Sequence, residues 1–161
     1  AGIGWKNPTL EPEKEMKTMQ TNGLGFVRMV SEAYRYLAKH GGGHIVCITS
    51  VAGTKGIGAI PAYSATKAMQ NTYLQALEQL AANNHLNIRF TDIRPGFVDT
   101  PLLPDSSHFP MLMKTEDVAN SIMKAIERKR HVCIIDGRWC IFTAMWRCIP
   151  NWIWRRMKLK E

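Results

Sequence analysis

The chain has 161 residues, 45% of them hydrophobic and 21% charged, and carries a net charge of +8. That balance predicts one compact soluble domain with a real core, and the positive charge suits an anionic partner: a phosphate-bearing cofactor, an acidic carrier, nucleic acid or a lipid surface. No uninterrupted apolar run approaches the ~18 residues a spanning helix needs, and the start lacks a charged stretch leading into an apolar one, so neither a transmembrane nor a secreted protein is predicted.

The opening "AGIG" has no initiator methionine and runs straight into a polar segment, as though a strand-to-loop junction had been cut, which predicts a piece of a longer chain. Phe26, Met29, Val30, Ala33 and Leu37 then recur at helical spacing, and "HGGG" at 40–43 stops that helix, because glycine tolerates a left-handed cap. "HIVCITS" (44–50) is a short β-branched run and reads as a buried strand ending at Ser50. "GTKGIG" at 53–58 follows it and is read as a flexible active-site loop rather than a phosphate loop, since the next helix begins only around Ala62.

From Tyr63 to Leu80, Ala65, Ala68, Met69, Thr72, Tyr73, Ala76 and Leu77 recur at intervals of three and four, the mark of a packed helical stripe. A second strand follows in "NIRFTDIRP" (87–95), then an apolar loop, "PLLPDSSHFPMLMK", that fits equally a substrate lid or a segment packed on the domain. Thr115 is the predicted N-cap of a helix with Glu116 and Asp117 in its first turn, and "HVCIID" (131–136) is the third strand. Strands alternating with helices imply a doubly wound parallel sheet with helices on both faces and ligand groups at the carboxyl ends of the strands, where Ser50 and Pro95-Gly96 fall.

Cys47, Cys133, Cys140 and Cys148 form no CxxC pair, and two of them sit in strand-like runs, so reduced core thiols in a cytoplasmic protein are expected. The five histidines show no metal spacing, and no metal site is expected.

Tyr63 and Lys67 stand four places apart, so a helix carries them one above the other on one face. A cation within ~4–6 Å favours the phenolate, and a tyrosine tuned toward neutrality can trade a proton with an alcohol or a developing alkoxide, as carbonyl reduction requires. The hydroxyl of Ser50, thirteen residues earlier at a strand end, could hold the carbonyl oxygen. Composition alone gives roughly 0.27 tyrosine–lysine pairs of this spacing per chain, but only roughly 0.01 once a serine thirteen residues upstream is required. The triplet therefore outweighs a surface tyrosine beside a solvated lysine.

In "AGIG", "TNGLG", "ITSVAG", "YSATK" and "RPGFVDT", in that order, the chain resembles the short-chain dehydrogenase/reductase family from residue 1 to about residue 137. The resemblance implies a Rossmann-type sheet over 1–137, NAD or NADP as cofactor with NADPH slightly favoured, and hydride transfer between cofactor and a carbonyl or secondary alcohol. By motif, Tyr63 would be the acid/base and Lys67 would lower its pKa and hold the nicotinamide ribose. Ser50 would orient the substrate oxygen and Asn22 would anchor a water linking Lys67 to a proton relay. Gly2, Pro95, Gly96, Val98 and Thr100 would line the cofactor. Read without the resemblance, Asn22 beside Gly23 and Gly25 marks a helix join or local irregularity.

The family's TGxxxGxG phosphate loop has no counterpart here, and neither do the two asparagines that precede "AG" in its "NNAG". Two βαβ units of ~30 residues or more each would carry the pyrophosphate cradle upstream of Ala1. The tail, 138–161, holds four tryptophans with Arg138, Arg147, Arg155, Arg156, Lys158 and Lys160 among them. A membrane interface, a subunit contact and a cover for the pocket all fit that composition, and nucleic acid fits less well for want of a reading module. The resemblance further implies a homodimer or homotetramer paired through the helices at 12–40 and 62–83. A non-catalytic binding or assembly module on the same fold is the alternative to an apolar-substrate oxidoreductase.

Overall fold

The computed structural model describes residues 2–103 and 109–158. Helix α1 (Pro12–Thr18) starts on a proline, whose missing N–H costs nothing at that position, with Glu13 and Glu15 in the first turn. It passes through a π-helical segment, Met19–Gly25, into α2 (Phe26–Lys39). The irregularity read at Asn22 is this widened segment. His40 and Gly41, the latter at φ +84°, end α2, as the glycine run predicts.

Strand β1 (Gly43–Ile48) leads through a 3₁₀ turn, Val51–Gly53, to the long α3 (Pro61–Asn83). Strand β2 (Ile88–Arg94), α4 (Thr115–Glu127), β3 (Val132–Ile134), α5 (Gly137–Cys148) and the short α6 (Asn151–Trp154) follow. The strands are parallel in the order β1-β2-β3, with Ile45 opposite Phe90 and Ile93 opposite Cys133. This is the alternating α/β architecture expected of the sequence. One expectation is corrected: Thr115 is the first helical residue rather than the cap, and its hydroxyl donates to the Asp99 carbonyl at 2.7 Å. That bond satisfies the loop before α4 in place of the helix's own end.

Side-chain alternation along the strands divides the interior in two. Ile45, Cys47, Ile88 and Phe90 face Val30 of α2 and Leu74, Leu77 and Ala81 of α3. Ile93 faces the opposite layer, where Val51, Met113, Val118, Ala125, Ile135 and Trp139 close around it. Trp139, the first tryptophan of the basic tail, is thus a core residue, 3% exposed. The apolar loop after β2 also contributes to this core: Val98 and Met113 form a parallel bridge, and the Phe109 ring lies 4.6 Å from Phe97. The middle of that loop, 104–108, is outside the described residues. Among the described residues, no helix is long and apolar enough to cross a membrane.

Candidate active site

Parallel pairing brings the carboxyl ends of β1 and β2 side by side. Thr49 N–H donates to the Ile93 carbonyl at 2.7 Å, and Val51 N–H to the Pro95 carbonyl at 3.1 Å. Ser50 is held between those two bonds, 8% exposed, its Oγ accepting from Ala52 N–H at 3.1 Å and reaching the Pro95 carbonyl at 3.5 Å. The first turn of α3 then sets Tyr63 against it, the phenol near enough for the Ser50 hydroxyl to influence its ionisation. Lys67 lies one turn further along, 5% exposed, with Nζ 5.5 Å from the centre of the Tyr63 ring and 3.4 Å from the Ile48 carbonyl. The three residues singled out by spacing meet at one corner.

The segment at 2–4 closes that corner from the other side. A side chain on Gly2 would stand 3.7 Å from Asn22 Oδ1 and 3.8 Å from Lys67 Nζ, so this glycine borders the ammonium. Gly4 packs directly on the tyrosine, since a Cβ there would fall 2.6 Å from Tyr63 Cδ2. Asn22 is fully buried and clasps Ile3 both ways, accepting from its N–H at 2.9 Å and donating to its carbonyl at 2.6 Å. The Asn22 carbonyl accepts from Gln70 Nε2 at 2.7 Å, so the π segment, the 2–4 segment and α3 are tied at one residue. Gln70 Oε1 is buried with no partner among the described residues.

The candidate cofactor residues divide. Pro95 is bonded to the Ser50 turn, and Gly96 presses on Trp139, where a Cβ would fall 2.1 Å from the indole. Val98 is paired with Met113, and the Thr100 hydroxyl turns back to the Val98 carbonyl at 3.4 Å. The bonds of these last two run along their own segment rather than to the serine, tyrosine or lysine.

The electrostatics overturn one expectation. Spacing predicts a lysine that lowers the phenol's pKa; instead burial raises Tyr63 above the ordinary tyrosine value, and only the Ser50 hydrogen bond works against it. The ammonium sits over the ring and leans to a backbone carbonyl, while the cleft strips water from the hydroxyl. Lys67 itself is pushed down to about 8 by the same loss of water, with the Asp92 carboxylate pulling it back up. Asp92 is 4% exposed, accepting from Thr49 Oγ1 at 2.5 Å and from Arg94 Nε at 2.8 Å. Cys47 is pushed up to about 11, chiefly by burial, and so stays a thiol at neutral pH.

The loop at 53–58 also differs from the flexible segment expected. Trp154 Nε1 donates to the Gly56 carbonyl at 2.7 Å, Lys55 Nζ donates to the Ile149 carbonyl and Asn151 Oδ1 at 2.8 Å each, and Ile57 N–H reaches Ser64 Oγ at 3.2 Å. The tail clasps it. Gln70 and Trp154 were beyond sequence reasoning, because each acts on the site across a long stretch of chain and neither lies in a motif, and Gly4, though inside "AGIG", meets Tyr63 only through the fold.

The comparisons agree with this fold. The family model described as short chain dehydrogenase matches residues 1–110. An uncharacterized oxidoreductase of Myxococcus xanthus is 30% identical over 155 residues, covering 94% of this chain and 60% of that protein. The chain thus spans less than two thirds of this relative's length. Among solved structures, it is similar to a short chain dehydrogenase from Burkholderia cenocepacia in complex with NADP, at TM-score 0.82 and 18% identity, covering 99% of this chain and 67% of that one. A short-chain dehydrogenase from Sphingobium yanoikuyae in complex with NADPH gives TM-score 0.76 at 18% identity over 100% and 64% of the two chains. Likeness at that identity establishes the fold.

Proposed function

Because the chain belongs to the short chain dehydrogenase family, we propose that it is the catalytic part of an NAD(P)-dependent oxidoreductase that reduces an apolar ketone or aldehyde, or oxidises the matching secondary alcohol. The observation that carries this reading is the convergence of Ser50, Tyr63 and Lys67 at the strand ends.

Reduced nicotinamide, when bound, supplies the hydride. The residues present fit its ribose end: the Lys67 ammonium has three donors, and its recorded bond, to Ile48, is long at 3.4 Å. Gly2 leaves room beside that ammonium, and Pro95, Gly96, Val98 and Thr100 are the stretch that would border the ring. The pyrophosphate end has no candidate among the described residues. NADP(H) is favoured over NAD(H) because the two solved relatives named above carry it.

Ser50 holds the substrate oxygen and Tyr63 gives it the proton. A phenol kept above its ordinary pKa is fully protonated at neutral pH, which suits it to act as general acid in the reducing direction; the oxidising direction needs the phenolate and gains rate as pH rises. Asn22 is assigned a positioning role, fixing Ile3 and with it Gly2 and Gly4 against Lys67 and Tyr63. A homo-oligomer would pair α1, α2 and α3, whose outer faces leave Met16, Met29, Tyr36 and Leu80 between 45% and 62% exposed.

The test uses the full-length protein with NADPH and a panel of ketones and aldehydes. Tyr63→Phe, which keeps the ring and loses the proton, is expected to lower turnover by about 10²- to 10⁴-fold with unchanged NADPH binding. Equal turnover of the two proteins removes Tyr63 from the chemistry, and no turnover by either favours the non-catalytic module.

A further inference from the structure

We propose that the outward face of α5 and α6 is a docking surface for an anionic phospholipid bilayer. A helix on a protein surface ordinarily turns a polar face to water. Helix α5 does not. Trp139 and Thr143 fill its inner side, yet its outer side presents Ile141 and Met145, one turn apart and 67% and 65% exposed, with Phe142 at 42% on the flank. From Trp139 to Cys148 its only charged residue is Arg147. Beyond Pro150, Trp152 is 64% exposed, Ile153 36% and Met157 43%.

Charge selects the occupant. From Arg138 to Lys160 the chain has six basic residues and no acidic one. A second copy of this chain would bring the same positive charge against it, whereas phospholipid headgroups carry the complementary sign. Tryptophan and arginine beside exposed aliphatic side chains suit the boundary between headgroup and acyl chain, where apolar bodies sink and charged tips stay wet. An acidic protein surface would match the charge but leave Ile141, Met145 and Trp152 without apolar cover.

The surface is firmly mounted. Ring contacts run from the core outward, Phe97 to Trp139 at 5.4 Å, Trp139 to Phe142 at 5.6 Å, Phe142 to Trp146 at 5.1 Å and Trp146 to Trp154 at 5.1 Å. Trp154 and Asn151 in turn hold the loop at 53–58, which joins Ser50 to Tyr63. Seating this face on lipid would therefore place that loop beside the bilayer, a fitting position for a site that takes an apolar carbonyl compound. This last consequence rests on the function proposed above; the docking itself does not.

The experiment is co-sedimentation of the full-length protein with vesicles of phosphatidylcholine, alone or mixed with phosphatidylserine. Binding is expected to the mixed vesicles and to weaken as salt is raised. Arg155→Gln and Arg156→Gln should each lower the partition coefficient about fivefold. Met145→Glu should lower it at least about tenfold, with melting temperature and circular dichroism unchanged because the residue is exposed. Equal recovery with both kinds of vesicle, or binding indifferent to Met145→Glu, overturns the proposal. So does loss of self-association in Met145→Glu, seen by light scattering, with no vesicle binding by either protein, which would assign the face to a second copy. None of these readouts depends on turnover, so they stand apart from the test of Tyr63.

Discussion

At the ends of β1 and β2, polar side chains are buried and held by backbone atoms from distant parts of the chain; on α5 and α6, apolar side chains stand in solvent and are held by rings close in sequence. Ser50, Lys67 and Asn22 are each 8% exposed or less, while Ile141, Met145 and Trp152 all exceed 60%. The strand-end corner gains its geometry from the whole fold, and a small shift of any contributing segment alters it. The tail gains its shape from a run of ring contacts and one anchor in the core. Burial costs the corner something too, since it holds Lys67 and Tyr63 away from their ordinary titration, whereas the tail's arginines sit in water.

The two regions meet at Trp139, and removing it is the severest way to test whether they are independent. Trp139→Ala is expected to destabilise the protein by about 3–5 kcal/mol in denaturant unfolding, because the indole fills the core against Gly96. A loss under about 1 kcal/mol would show that the tail is merely laid on the domain.

Lys67 sharpens the contrast through pH. Its folded pKa of about 8 lies below the unfolded value of 10.5, so between those values the unfolded chain binds the extra proton and stability rises with pH. Below about 8 both states are protonated and the burial cost is present in full. Cys47 and Tyr63, both raised, oppose this above about 9, so the Lys67 share, about 3 kcal/mol, is read as the difference in pH dependence between wild type and Lys67→Met. Urea unfolding at several pH values checks this, and a slope unchanged in the variant would place the ammonium in water.

The smallest effect concerns the clasp. Trp154→Phe keeps a ring against Trp146 but loses the bond to Gly56, and should cost about 1 kcal/mol while raising hydrogen exchange in 53–58. Exchange unchanged in that loop would mean the tail does not restrain it.

Local pattern made much of this legible. The i, i+4 spacing of Tyr63 and Lys67, the strand leading to Ser50 and the asparagine beside Gly23 and Gly25 all carry their meaning within a few residues, although the strand itself stops at Ile48. What was hidden depends on contacts between distant positions. Asn22 meets Ile3 across 19 residues and Gln70 across 48. In the sequence Trp139 is one of four tail tryptophans with no reading that separates it from the rest, and contact with Ile93, Met113 and the bare Gly96 makes it a core residue. The direction of the Tyr63 shift was hidden for the same reason: spacing shows the nearby cation but not how much water the fold removes.

That last point admits the most direct test. Titrating the phenolate absorbance of the free full-length protein, as the difference between wild type and Tyr63→Phe, should show no ionisation of Tyr63 below the ordinary tyrosine range near ~10. A midpoint near neutral pH would contradict the account, because it would mean that the lysine, rather than burial, governs the group that gives the proton.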